Sequence, residues 1–129
     1  MRLILASTSP RRHELLTLLK IPFETVAPTY VERLSPHLSP AEQSRLFAEG
    51  KARSRQDSFP DSLIIGCDTL IELDSEVLGK PKDTEDAARM LHRLSGRPHL
   101  IHTAIAVLST ATGRLESEVE SVHVWFKSL

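Results

Sequence analysis

The chain has 129 residues, 40% hydrophobic and 26% charged, which suits one domain over 1–129 whose modest core requires neither disulfides nor a structural metal. Its net charge of −1 gives no global electrostatic reason to expect nucleic acid or an anionic membrane as partner. A single cysteine, Cys67, excludes a disulfide framework, and no apolar run is long enough for a secretory signal or a membrane span, so a cytoplasmic protein is expected.

Arg2 to Ala6 reads as a buried strand. Ser9 is placed to cap a helix with Pro10 at its first position, and Leu15, Leu16, Leu18 and Leu19 form an apolar stripe on it. Ile21-Pro22 stops that helix, and 23–27 is a candidate second strand. Ser39 and Glu42 have the spacing of a capping box, opening a helix to about Arg55 with Leu46, Phe47, Ala48 and Ala52 inward. The unbroken apolar run 63–67 has the pattern of a strand buried on both faces, extended by 70–73. A turn at 74–76 and a short strand at 77–81 follow. Asp83 or Thr84 caps a third helix with Ala87, Ala88, Leu91 and Leu94 on its core side, and Gly96 stands at its stop. Residues 99–108 and 115–126 flank a turn-like stretch and read as a hairpin, with Trp125 and Phe126 in sheet packing. Strands alternating with helices make the fold α/β.

Arg11 and Arg12 fall in the first turn of the first helix, where cations oppose the helix dipole. Either a bound anion such as phosphate offsets them, or they are solvated surface arginines. Asp68 follows a buried strand, where a carboxylate can bind a divalent ion or orient a water; it can equally cap a turn. Lys80, in Gly79-Lys80-Pro81, is a phosphate ligand or an exposed loop lysine. Lys51, with Arg53 and Arg55, reads more readily as a solvated helix face, and Glu32 as a lone acid carries little weight alone. His99 and His102, three apart in a strand, point to opposite faces and make a poor metal pair. Cys67 sits in an apolar run and reads as core. Neither a P-loop nor a dinucleotide-binding glycine fingerprint is present.

The segments LILASTSPRRHELL, LIIGCDTLIELDSEVLGKPKDTEDAARMLHRLSG and VHVWFKSL, with AEGKARS between the first two, resemble the Maf family of nucleoside triphosphate pyrophosphatases. The resemblance implies a Maf/ITPase-like fold, a mixed central sheet flanked by helices. It implies hydrolysis of a nucleoside triphosphate to monophosphate and pyrophosphate with Mg²⁺ or Mn²⁺. Asp68 matches the family's catalytic carboxylate; Ser7, Arg11 and Arg12 match its phosphate-side loop; Glu32, Lys51 and Lys80 match other pocket residues. Glu32 and Asp68 are then the metal ligands. The Arg11-Arg12 pair with Asp68-Thr69 resembles the branch acting on dTTP and UTP rather than 7-methyl-GTP.

Family members continue beyond this point with a motif resembling D-K-A-G-x-Y-x-I-Q-G, so a fold and pocket incomplete at the C-terminus are expected. Two classes stay open: a house-cleaning pyrimidine nucleotide pyrophosphatase, or a catalytically impaired remnant that binds nucleotide or regulates cell division. An open sheet edge would favour a homodimer.

Overall fold

The computed structural model describes residues 1–79, 81–125 and 127–128; Lys80, Phe126 and Leu129 lie outside the described residues, and with them the expectations placed on Lys80 and Phe126. In chain order the elements are β1 (Arg2–Ala6), α1 (Pro10–Thr17), β2 (Glu24–Val26), α2 (Pro40–Arg53), β3 (Ser62–Leu73), β4 (Glu76–Leu78), α3 (Thr84–Leu94), β5 (Pro98–Ser109) and β6 (Leu115–Trp125). Each helix begins at its expected cap. Ser9 Oγ accepts from the Arg12 amide at 3.4 Å, Ser39 Oγ from Glu42 at 3.2 Å, and Asp83 Oδ1 from Asp86 at 2.7 Å.

The strands form one mixed sheet in the order β2-β1-β3-β5-β6, with β4 also on β3. β1 runs parallel to β2 and β3, whereas β4 and β5 are antiparallel to β3, and β6 to β5. Because β5 occupies one edge of β3 along nearly its whole length, β1 and β4 share the other. β1 reaches only Gly66 and β4 pairs only from Ile71, so among the described residues no strand lies beside Cys67 to Leu70 on that edge.

Side chains alternate across a strand, so the even-numbered residues of β1, β3 and β5 share a face. α2 covers that face: Ala48 and Ala52 pack with Ile4, Ala6, Ile64, Ala104, Ala106 and Leu108. Gly66 makes this approach close, since a Cβ there would lie 2.2 Å from the Ala48 carbonyl oxygen and 2.7 Å from the Ala52 nitrogen. Arg45 of α2 reaches across to donate to the Ser117 carbonyl of β6 at 2.8 Å.

The other face is only partly covered, which overturns several expectations. β3 is not buried on both faces; Ile64 and Gly66 are buried while Leu63 and Ile65 are half-buried. No residue of α1 is buried, and Leu15, Leu18 and Leu19 of its apolar stripe are 59–73% exposed. Between this eight-residue helix and the sheet lies an apolar groove of about 620 Å³ floored by Leu5, Ile65, Cys67 and Ile105. Leu46 and Leu91 are also exposed, Ala88 is exposed and Ala87 half-buried; Leu94 alone of the expected α3 core residues is buried. α3 covers just the end of the sheet, where Leu94 meets Leu73 and Leu78.

His99 and His102 are both buried, on opposite faces as strand alternation requires. His102 bridges three strands, Nε2 to Glu72 Oε1 at 2.8 Å and Nδ1 to Ser121 Oγ at 2.7 Å.

Candidate active site

Asp68 stands in the gap that β1 and β4 leave beside β3, on the face covered by α2, and is 4% exposed. It lies two residues beyond Gly66 on that face, so the close seating of α2 at Gly66 brings Lys51 within reach. Lys51 Nζ donates to Asp68 Oδ1 at 3.0 Å and to the Cys67 carbonyl at 3.4 Å. The same ammonium pairs with Glu32 Oε1 at 2.7 Å. Three residues from a loop, a helix and a strand thus meet at one point. Lys51, read from its neighbours as a solvated face, is in fact mostly buried.

The loop 27–39 carries Glu32 there because it is laid along α2. Arg55 donates to the Ala27 carbonyl at 2.9 Å; Thr29 donates to Ser54 twice, its amide to Oγ and its hydroxyl to the carbonyl, both at 3.1 Å; the Ser35 amide donates to Gln43 Oε1 at 2.5 Å. Between these anchors the Tyr30 ring lies against the backbone of Gly50 and 5.9 Å from the Phe47 ring. Neither Tyr30 nor Gly50 was singled out in the sequence. A glycine inside a helix costs about 1 kcal/mol against alanine, and that cost is the signal that a close packing partner exists.

Burial raises the Asp68 carboxyl above the ordinary aspartate value; the Lys51 hydrogen bond and charge oppose this, Glu32 adds to it, and Arg12 draws it down. Oδ2 of Asp68 is buried and, among the described residues, has no hydrogen-bond partner. Burial also raises the Cys67 thiol, consistent with a core role rather than a nucleophile.

On the opposite face, Arg12 donates to Thr69 Oγ1 at 3.4 Å. Ser7, nearly buried in the β1–α1 turn, accepts from the Ser9 amide at 3.1 Å and helps line a cavity of about 470 Å³ with Thr8, Ser9 and His13. Arg11 is exposed and lines the apolar groove beside α1. The expected residues therefore fall into a bonded cluster (Glu32, Lys51, Asp68), a pair across the strand (Arg12, Thr69), a turn residue (Ser7) and a solvated arginine (Arg11).

Among the described residues, no group of three or more His, Cys, Asp and Glu side chains comes together. Two carboxylates do converge, and Asp68 Oδ2 has unused acceptor capacity. Mg²⁺ and similar hard cations commonly take one or two carboxylates from protein and complete their shell with water and substrate phosphates. Glu32 and Asp68 fit that demand.

Among the described residues, no helix is long and apolar enough to cross a membrane. A family model described as Maf-like protein matches residues 2–129. A dTTP/UTP pyrophosphatase of Bacillus velezensis is 51% identical over 124 residues, covering 96% of this chain and 66% of that protein. Another of Pelotomaculum thermopropionicum is 39% identical over 127 residues, covering 98% and 66%. The chain spans about two thirds of the length of these curated relatives. Among solved structures, the Ham1 protein of Staphylococcus aureus matches with a TM-score of 0.63 at 13% identity, over 95% of this chain and 70% of that one. That likeness concerns the fold alone, a mixed sheet flanked by helices.

Proposed function

Because this chain belongs to the family of Maf-like proteins, we propose that it is a nucleoside triphosphate pyrophosphatase. It hydrolyses dTTP or UTP between the α- and β-phosphates, a house-cleaning reaction. The observation that carries this reading is the Glu32–Lys51–Asp68 cluster in the strand gap, where Asp68 Oδ2 is buried with no hydrogen-bond partner among the described residues. The names of the relatives motivate the substrates.

In this reading Asp68 Oδ2 accepts a proton from the attacking water. The water oxygen bonds to the α-phosphorus, the bond to the bridging oxygen breaks, and pyrophosphate leaves. Lys51 holds Asp68 in place and favours its ionised form against burial. Arg11, Arg12 and Lys80, with Ser7, bind the triphosphate and take up charge on the leaving group; Thr69 orients Arg12. Glu32 and Asp68 hold the divalent cation, Mg²⁺ or Mn²⁺, which when bound neutralises phosphate charge. A cytoplasmic setting, suited to the reduced Cys67, belongs to the same proposal. So does a homodimer through the outer edge of β6, where Val122 and Trp125 are exposed.

The test is pyrophosphate release from dTTP, UTP, 7-methyl-GTP and ATP with Mg²⁺ or Mn²⁺. Release from dTTP or UTP that EDTA abolishes is expected. Triphosphate binding without release under either metal would overturn the enzyme reading in favour of a nucleotide-binding remnant.

A further inference from the structure

We propose that Tyr30 is the positioning residue for Glu32, and that Gly50 is the notch in α2 that admits its ring. The inference rests on the role given to Glu32 above. Its geometric basis is a contact no other side chain at position 50 would allow: a Cβ on Gly50 would fall 2.2, 2.5 and 2.6 Å from Cε1, Cδ1 and Cζ of Tyr30. The ring is keyed against the helix backbone one residue before Lys51. Phe47, 2% exposed and three residues earlier on α2, backs it at 5.9 Å.

Glu32 needs such a device. Its side chain is 39% exposed, and an ion pair that open to solvent contributes roughly 0–1 kcal/mol, too little to hold a loop by itself. The loop's other anchors lie at Ala27, Thr29 and Ser35. Tyr30 fixes the distance from α2 between them, two residues from Glu32. With the ring in its notch, Glu32 meets the ammonium of Lys51. With the ring displaced, the loop shifts and that carboxylate withdraws.

The experiment compares Gly50→Ala, Tyr30→Phe, Tyr30→Ala and the Gly50→Ala/Tyr30→Ala double variant, each first checked for a cooperative melt. Two readouts are followed: the rate at which acetic anhydride modifies Lys51, by mass spectrometry, and Mn²⁺ affinity by EPR. Gly50→Ala should speed Lys51 modification several-fold and weaken Mn²⁺ binding about tenfold. Excess Mn²⁺ should restore its maximal rate of pyrophosphate release, which a general loss of structure would not permit. Tyr30→Phe keeps the ring and should keep Lys51 protected. In the Tyr30→Ala background, where no ring remains to be expelled, adding Gly50→Ala should change neither readout. Wild-type Lys51 protection in Gly50→Ala, or an equal effect of Gly50→Ala with and without the ring, overturns the proposal. If Gly50→Ala fails to fold, Tyr30→Ala decides: exposed Lys51 supports the role and protected Lys51 refutes it. If wild-type protein neither binds Mn²⁺ nor releases pyrophosphate, the functional reading fails, while Lys51 labelling still judges this one.

Discussion

The two faces of the sheet are built differently. On one, small residues let α2 lie directly on β3, and Ile4, Ala48, Ile64 and Ala104 are fully buried. On the other, no residue of α1 is itself buried, Ile105 is 49% exposed, and Glu116, Glu118 and Glu120 line the outer strand. The cluster around Asp68 belongs to the tight face, and Arg11 and Arg12 to the loose one. A charged group that must be held at one distance sits where the backbone is fixed. In the proposed reaction, the groups that would have to adapt to a flexible triphosphate sit where little restrains them. Asp68 and Thr69, adjacent in sequence, serve opposite faces and so join the two.

The largest test of this division is Asp68→Asn. Turnover of dTTP should fall about 10²–10⁴-fold, the usual worth of a positioned proton acceptor. Stability should move the other way. Burial raises the Asp68 carboxyl above 3.8, so between that value and the raised one the native state binds more protons than the unfolded chain. Stability from this group is present at lower pH and is lost as pH rises through that window. The asparagine variant should therefore melt higher than wild type at pH 7, and a lower melting temperature would show that the carboxylate is structural. In wild type, the acid limb of the pH–rate profile should lie above 3.8.

Next comes Gly66→Ala. Its Cβ meets helix backbone rather than a movable side chain, so a loss of about 3 kcal/mol is expected, the upper end for overpacking. For a chain this size that is roughly a 10 °C fall in melting temperature. A neutral result would mean that α2 does not lie where the tight face requires. Arg12→Ala should raise KM for dTTP about 10- to 100-fold with an unchanged melt, since its partner is an exposed threonine. Smallest is Leu18→Glu on the 73%-exposed end of the α1 stripe, expected within about 0.5 kcal/mol of wild type by denaturant melt. A cost typical of core substitutions would show that this face is covered in solution.

What was legible in the sequence was mostly local. Ser9, Ser39 and Asp83 announce their helices because a cap acts over three residues, and the β5–β6 pairing follows from a short turn between two alternating runs. The leucines of α1 have helical spacing, yet spacing does not say whether anything covers the stripe. The 63–67 run looked doubly buried because apolar content does not reveal that only one face receives a full helix. At the site, Lys51 and Glu32 gained meaning from family resemblance, not from their neighbours in sequence. Their meeting depends on Gly66 and on a loop laid along α2, both long-range features. Tyr30 and Gly50 went unread for the same reason: twenty positions separate a ring from the notch it fills.

The order of the strands also governs how the chain reaches this state. β5 and β6 are joined through a short loop, whereas Arg2 must find Ser62 across sixty residues. Closing the longer loop costs about 2 kcal/mol more in chain entropy, so the β5–β6 hairpin should form before β1 docks. Destabilising the hairpin should then slow refolding, while destabilising β1 should mainly speed unfolding. The gap that holds Asp68 lacks its β1 boundary until that strand docks, so the site should be complete only from that point on.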